Sequence, residues 1–258
     1  MTGTVETNLP GVRRLEHIMG MPIIVDVRDE AVSADDLEPV FAWFREVDRI
    51  FSTFKPDSEI SRLNRGELSI HAACADVRDV LQRCESLRVE TGGSFDVRTA
   101  SSDIDPSGYV KGWSVDRAGT LLRGLGASNF SINAGGDVLL AGGALPDRGW
   151  RVGVQHPLRR DRLAKVVEGS DLAVATSGTY ERGDHILDAR TGVVPAGVLS
   201  VTVTGPELGT ADAFATAAYA RGEEAARWTL TLPHRGYEAL TILAGGEVLS
   251  TSGFPAAA

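Results

Sequence analysis

Polar and apolar positions follow two periods along this chain, alternation in short runs and steps of three and four in longer ones, so strands and helices are both encoded. Residues 17–29 (HIMGMPIIVDVRD) carry Ile23, Ile24, Val25 and Val27 and predict a strand, with Met19 and Gly20 at its start. Ser33 opens SADD, a helix-start signature completed by Asp36. Leu37, Val40, Phe41, Phe44, Val47 and Ile50 then fall on one helix face, and Trp43 falls off it. Residues 51–67 (FSTFKPDSEISRLNRGE) are polar and turn-rich around Pro56, which predicts a loop with one helical turn at SEISRLN. A second helix is predicted over 73–90, with Val77, Val80, Leu81, Cys84 and Leu87 inward and Gly92 and Gly93 stopping it.

Beyond a short strand-like piece at 94–98 (SFDVR), residues 105–116 (DPSGYVKGWSVD) take a glycine-bearing loop through Lys111 into a helix expected from about Gly112 to Leu125. FSINAGGDVLLAGG (130–143) is apolar on both sides of Gly-Gly-Asp, the pattern of a strand bent sharply beside a ligand or another backbone. WRVGVQHP, KVVEGS and LAVATSG are three further strands, and GTYERGDHILDARTGVVPAG is a polar loop. SVTVTG predicts a strand, TADAFATAAYARG and EEAARWTLTL predict helices, and YEALTILAGGEVLSTSG predicts a terminal hairpin. Strands and helices interleave irregularly, so the fold class expected is α/β with mixed α+β layers rather than a regular doubly wound sheet. Residues 1–258 are read as one unit, with 1–16 a flexible N-terminal segment.

Composition narrows the function. With 258 residues and 43% hydrophobic content, the chain can bury a sizeable core. A formal charge of −9 argues against nucleic acid as a partner, because phosphate-backbone affinity comes from clustered Lys and Arg. No apolar run of signal-peptide length follows the first arginines, and none reaches the ~18 residues of a membrane span, so a cytoplasmic protein without a membrane partner is expected. Cys74 and Cys84, the only cysteines, are read as small buried apolar residues.

Lys111 between Gly108 and Gly112 at a helix start can cradle an anion through backbone N–H groups and an ammonium, or can simply be a solvated first-turn residue. Asp212 and Thr216 are four apart and share a helix face. Their oxygens suit Mg²⁺, although a helix-start Asp beside a packed Thr accounts for them equally. His185 is either a proton acceptor or a hydrogen-bonded loop residue, and Asp137 of the INAGGD segment is a further candidate for chemistry, although it and Asp96 could equally be turn residues.

Taken in order, these segments resemble the ApbE family of FAD:protein FMN transferases. The resemblance runs through Met19-Gly20, FSTFKPDSEISRLN, GGSFD, IDPSGYVKGWSVD, INAGGD, ATSGTYER, HILDARTG and TADAFATA, over roughly residues 19 to 218. Met21, Phe54 and Ala189 stand where the family more often has Thr, Tyr and Pro. The resemblance implies FAD as substrate and transfer of FMN through its phosphate to a Thr or Ser of a target flavoprotein, here a cytoplasmic one, with release of AMP. It also implies that Met19, Phe54, Ser94, Phe95, Asp96, Asp105, Lys111 and Ile186 contact the flavin dinucleotide. Gly108 through its carbonyl, with Asp212 and Thr216, falls on a Mg²⁺ site, and His185 on the position that activates the incoming hydroxyl. Two other outcomes of such a site are hydrolysis of FAD to FMN and AMP, and FAD binding without turnover.

Overall fold

Alternation builds the sheet. The computed structural model describes residues 10–99, 102–178 and 188–257. In it β1 (Val12–Ile18) and β2 (Met21–Val27) pair antiparallel, and Met21, Ile23, Val25 and Val27 point into the core. The turn between them has positive φ at Met19 (55°) and Gly20 (72°). Residues 12–16, expected within a flexible segment, are instead an edge strand. Their apolar alternation is broken because Arg14 and Glu16 take alternate positions, paired with Glu38 and Arg45.

The helices follow. Ser33 donates its backbone N–H and its hydroxyl to Asp36 Oδ2 (2.9 and 2.6 Å), closing the predicted start signal ahead of α1 (Glu38–Phe51). Phe41 and Phe44 of α1 are fully buried, each contributing roughly 1.5–3 kcal/mol over an exposed position. Ser58 caps α2 (Glu59–Asn64) by accepting from Ser61 N–H, and α3 (Ala75–Glu90) ends before Gly92 and Gly93. Burial pushes the Cys84 thiol up to about 12, and neither cysteine is bonded to the other. Residues 94–98 are not a strand; among the described residues their only ladder contact is a bridge from Arg98 to Ile104.

α4 (Ser107–Gly124) starts five residues before the expected Gly112, because Asp105 Oδ1 accepts from Ser107 N–H at 3.0 Å and Pro106 O already takes the N–H groups of Tyr109 and Val110. Gly108 therefore lies in the first turn of α4, and Lys111 and Gly112 lie in the turn that follows. Trp43, off the apolar stripe of α1, donates its indole N–H to Ser114 O (2.9 Å) and meets the Trp113 ring edge-on.

β3 (Phe130–Ala134) and β4 (Asp137–Ala141) form a hairpin through Gly135 (φ 60°) and Gly136 (φ 103°), so the expected bend is a two-residue turn. Then come β5 (Trp150–His156), β6 (Arg159–Gly169), β7 (Leu172–Gly178), β8 (Val198–Gly205), α5 (Leu208–Ala220), a short α6 (Ala225–Thr229), β9 (Glu238–Leu243) and β10 (Val248–Ser250). The main sheet has eight antiparallel strands in the order β1-β2-β3-β4-β7-β8-β9-β10, and β5 and β6 form a separate ribbon. Helices cover one face, where Ile23, Ile132, Val203 and Phe214 share a core with α1, α4 and α5. The ribbon packs on the other face through Trp150 and Val154. Among the described residues no helix is long and apolar enough to cross a membrane.

α4 and α5 approach at backbone distance. A Cβ at Gly112 would lie 2.5 Å from Leu208 O and 2.6 Å from Gly209 N. One turn on, Asp116 accepts from the N–H groups of Leu208 and Gly209, each at 2.9 Å, and so caps α5 from a neighbouring helix. Burial pushes the Asp116 carboxyl up to about 6, against the two amides that pull it down. A folded-state value above the unfolded ~3.9 gives stability that is present below about pH 4 and lost as pH rises through 6. Chemical denaturation of the wild type and Asp116→Asn from pH 4 to 7 should therefore show the wild type losing about 1–3 kcal/mol relative to the variant. A stability difference that stays flat with pH would refute this.

Candidate functional site

Side chains from four elements of the helix-covered face meet around Lys111. Its Nζ lies 2.6 Å from Asp137 Oδ2 and 3.7 Å from Asp212 Oδ2. The glycine turn makes Asp137 the first residue of β4 and alternation directs it inward, where it is fully buried; its Oδ1 accepts from Thr176 N–H at 3.0 Å. Asp212, also buried, and Thr216 lie one turn apart on α5, and Thr216 Oγ1 is 3.3 Å from Ser177 Oγ of β7. Gly108 faces them: a Cβ there would be 3.8 Å from Thr216 Oγ1 and 3.4 Å from the Phe95 ring. The cluster thus joins Gly108, Lys111, Asp212, Thr216 and Phe95, all expected from the sequence, with Asp137, which the sequence marks either as a chemical group or as a turn residue, and Ser177, which it does not single out.

Other expected residues ring the cluster. Ser94 is buried and its hydroxyl donates to Thr91 O (3.0 Å). Asp96 Oδ1 accepts from Arg98 N–H, and Asp105 shapes the start of α4. Asn64 ties the loop after α1 to this segment by donating to Ile104 O (2.9 Å) and accepting from Ile104 N–H (2.7 Å). Met19 is half-buried at the β1–β2 turn, and Phe54 is 94% exposed in the loop after α1. His185 and Ile186 lie outside the described residues. Just beyond them Asp188 forms an ion pair with Arg190 (2.8 Å), whose hydrogen bonds hold its carboxyl below the usual range.

The donor set is all oxygen: a carboxylate, two hydroxyls and the main chain of a helix that carries no side chain at Gly108. That is the chemistry of a hard divalent cation, and Mg²⁺ fits. Among the described residues no three or more His, Cys, Asp or Glu side chains form a cage for a metal. A cation at Asp212 would therefore complete its shell with water and a ligand's phosphate oxygens, as Mg²⁺ commonly does. A separate cavity of about 350 Å³, lined by Asp26, Asn133, Trp150, Gln155 and Thr176, lies under the ribbon on the opposite face of the sheet.

Comparison with known proteins bears on the fold and the family. The ApbE family profile matches residues 19–102 and 98–241. A FAD:protein FMN transferase of Vibrio cholerae is 31% identical over 159 residues, covering 58% of this chain and 47% of that protein. One of Rhodobacter capsulatus is 32% identical over 172 residues, 62% of this chain and 32% of that protein. The chain thus spans less than half the length of these two relatives. A Haemophilus influenzae FAD:protein FMN transferase is 26% identical over 265 residues, 76% of this chain and 75% of that one. In structure, the ApbE protein of Thermotoga maritima superimposes with a TM-score of 0.83 at 22% identity, covering 93% of this chain and 97% of the other. The flavin transferase ApbE of Vibrio cholerae gives 0.83 at 23%, covering 94% and 97%. With its family motifs in order and its layers shared with these structures, the chain belongs to the ApbE family.

Proposed function

We propose that the protein is a Mg²⁺-dependent FAD:protein FMN transferase. The observation that carries this is the convergence of the Lys111 ammonium with the oxygens of Asp212 and Thr216 beside Gly108, in a chain whose relatives bear that activity. An acceptor Thr or Ser hydroxyl of a target flavoprotein, taken to be cytoplasmic, attacks the FMN phosphorus of FAD. The new P–O ester forms as the bond to the bridging oxygen breaks, and AMP leaves with that oxygen. Lys111 faces the pyrophosphate and offsets the charge growing on AMP, and His185 accepts the hydroxyl proton. Mg²⁺ held by Asp212, Thr216 and the Gly108 carbonyl would neutralise phosphate charge. Met19, Phe54, Ser94, Phe95, Asp96, Asp105 and Ile186 hold the rest of the dinucleotide.

The test is incubation with FAD, Mg²⁺ and a candidate flavoprotein. AMP should appear in step with a covalent FMN adduct on the target, read by mass spectrometry. AMP with free FMN and no need for an acceptor would make the protein a pyrophosphatase, and bound FAD without AMP would make it a carrier. Asp212→Ala should lose the Mg²⁺-dependent rate by about 10²-fold or more; His185→Ala in the same assay should slow transfer while FAD still binds.

Phe54 offers a test of flavin stacking separate from chemistry. Its ring is exposed, so Phe54→Ala should leave the denaturation midpoint within about 0.5 kcal/mol of wild type. FAD affinity in the same variant should fall about tenfold, as expected for loss of an aromatic stacking partner. Unchanged FAD affinity would remove Phe54 from the site.

A further inference from the structure

Lys111 faces two buried carboxylates at unequal distances, 2.6 Å to Asp137 and 3.7 Å to Asp212. The two carboxylates also differ in how they are supported. Asp137 has no solvent exposure, its Oδ1 is tied to Thr176 N–H, and it follows a turn that Asn133 fixes by accepting from Gly136 N–H (3.0 Å). It is a fixed charge, whereas the ammonium rides on a four-carbon stem. An ammonium drawn onto Asp212 would compete directly with a divalent cation for the same carboxylate, since both attractions are Coulombic at short range.

We propose that Asp137 is a positioning residue: it holds the Lys111 ammonium back from Asp212, so that Asp212 can ligate Mg²⁺ while the ammonium stays beside it as a second cation for the substrate's phosphates. The inference deepens the metal reading of Asp212 and rests on it. Asp137 takes no part as a ligand; its charge acts through the lysine.

Asp137→Asn keeps an acceptor for Thr176 N–H and removes the charge, which frees the ammonium to move onto Asp212. The experiment is a titration of FAD-free protein with Mn²⁺, the free ion followed by its EPR signal and Mg²⁺ added as competitor. Metal affinity should fall about tenfold or more in Asp137→Asn. It should return to within about threefold of wild type in the Asp137→Asn/Lys111→Met double variant, where no ammonium competes. Equal affinity in wild type and Asp137→Asn overturns the proposal. A double variant as weak as the single one also overturns it, because Asp137 is then a ligand itself or a mere support of the fold. If Asp137→Asn does not fold, Lys111→Met decides: affinity within about threefold of wild type supports the proposal, because a held ammonium does not compete, and affinity about tenfold or more above wild type overturns it, because the ammonium then competes in spite of Asp137. A wild type that takes up no Mn²⁺ overturns the metal reading and this inference together, whereas the other contrary results leave the metal reading standing.

Discussion

Lys111→Met should lower folding stability by about 3–5 kcal/mol, the usual cost of removing one partner from a buried ion pair. Asp137 is fully buried and its closest cation is this ammonium, 2.6 Å away; a Met side chain fills the space and leaves the carboxylate charge uncompensated. Asp212 loses the same neutralising neighbour. Added Mg²⁺ should recover part of the loss, because a cation that binds only the folded state stabilises it by mass action. Urea denaturation with and without Mg²⁺ reads both effects. A loss below about 1 kcal/mol would show that the ammonium is not what neutralises Asp137. AMP release should fall with it, since Lys111 is assigned to the leaving phosphate.

The second large effect comes from a residue with no side chain. Gly112→Ala places a methyl group 2.5 Å from Leu208 O and 2.6 Å from Gly209 N, backbone atoms that cannot rotate away. The gain in helix propensity, about 1 kcal/mol, is smaller than the cost of overpacking, about 1–3 kcal/mol or more, and the helices must part. Gly108 and Lys111 ride on α4 while Asp212 and Thr216 ride on α5, so a shift near 1 Å should reduce turnover about 10²-fold. Gly124→Ala is the control: it lies on the same helix, and nothing stands within 4 Å of its added Cβ. Comparable stability in Gly112→Ala and Gly124→Ala would mean that the close approach of α4 and α5 is not required.

How legible the fold was depended on how cleanly each segment kept its period. α1 and α3 stand where their apolar steps put them, and the strands of the WRVGVQHP and LAVATSG runs are found as read. β1 was hidden because alternate positions are charged residues satisfied by α1, a tertiary arrangement that a hydrophobicity pattern does not record. The start of α4 was misplaced because the glycines at 108 and 112 suggested a loop, while Asp105-Pro106-Ser107 carried the real start signal. In the site, the shared face of Asp212 and Thr216 was readable from their spacing and Lys111 from its place between two glycines at a helix start, while the family resemblance supplied the Gly108 carbonyl. Asp137 stayed open between a chemical group and a turn residue, because sequence alone does not say which face of the sheet the first residue after a turn will occupy. Its pairing with Lys111 follows only once β4 is seated beside α4 and α5.

The seam between α4 and α5 also has a consequence in time. Its two sides are nearly a hundred positions apart in the chain, with six strands laid down between them. On a ribosome adding about 5–20 residues per second, several seconds separate the appearance of Lys111 from that of Asp212. Until then, Lys111 and Asp137 are present without α5, so a nascent chain released early lacks the Asp212 and Thr216 side of the cluster. The seam closes only after residues 208–220 are made, when Leu208 and Gly209 can donate to Asp116 and Asp212 and Thr216 come opposite α4.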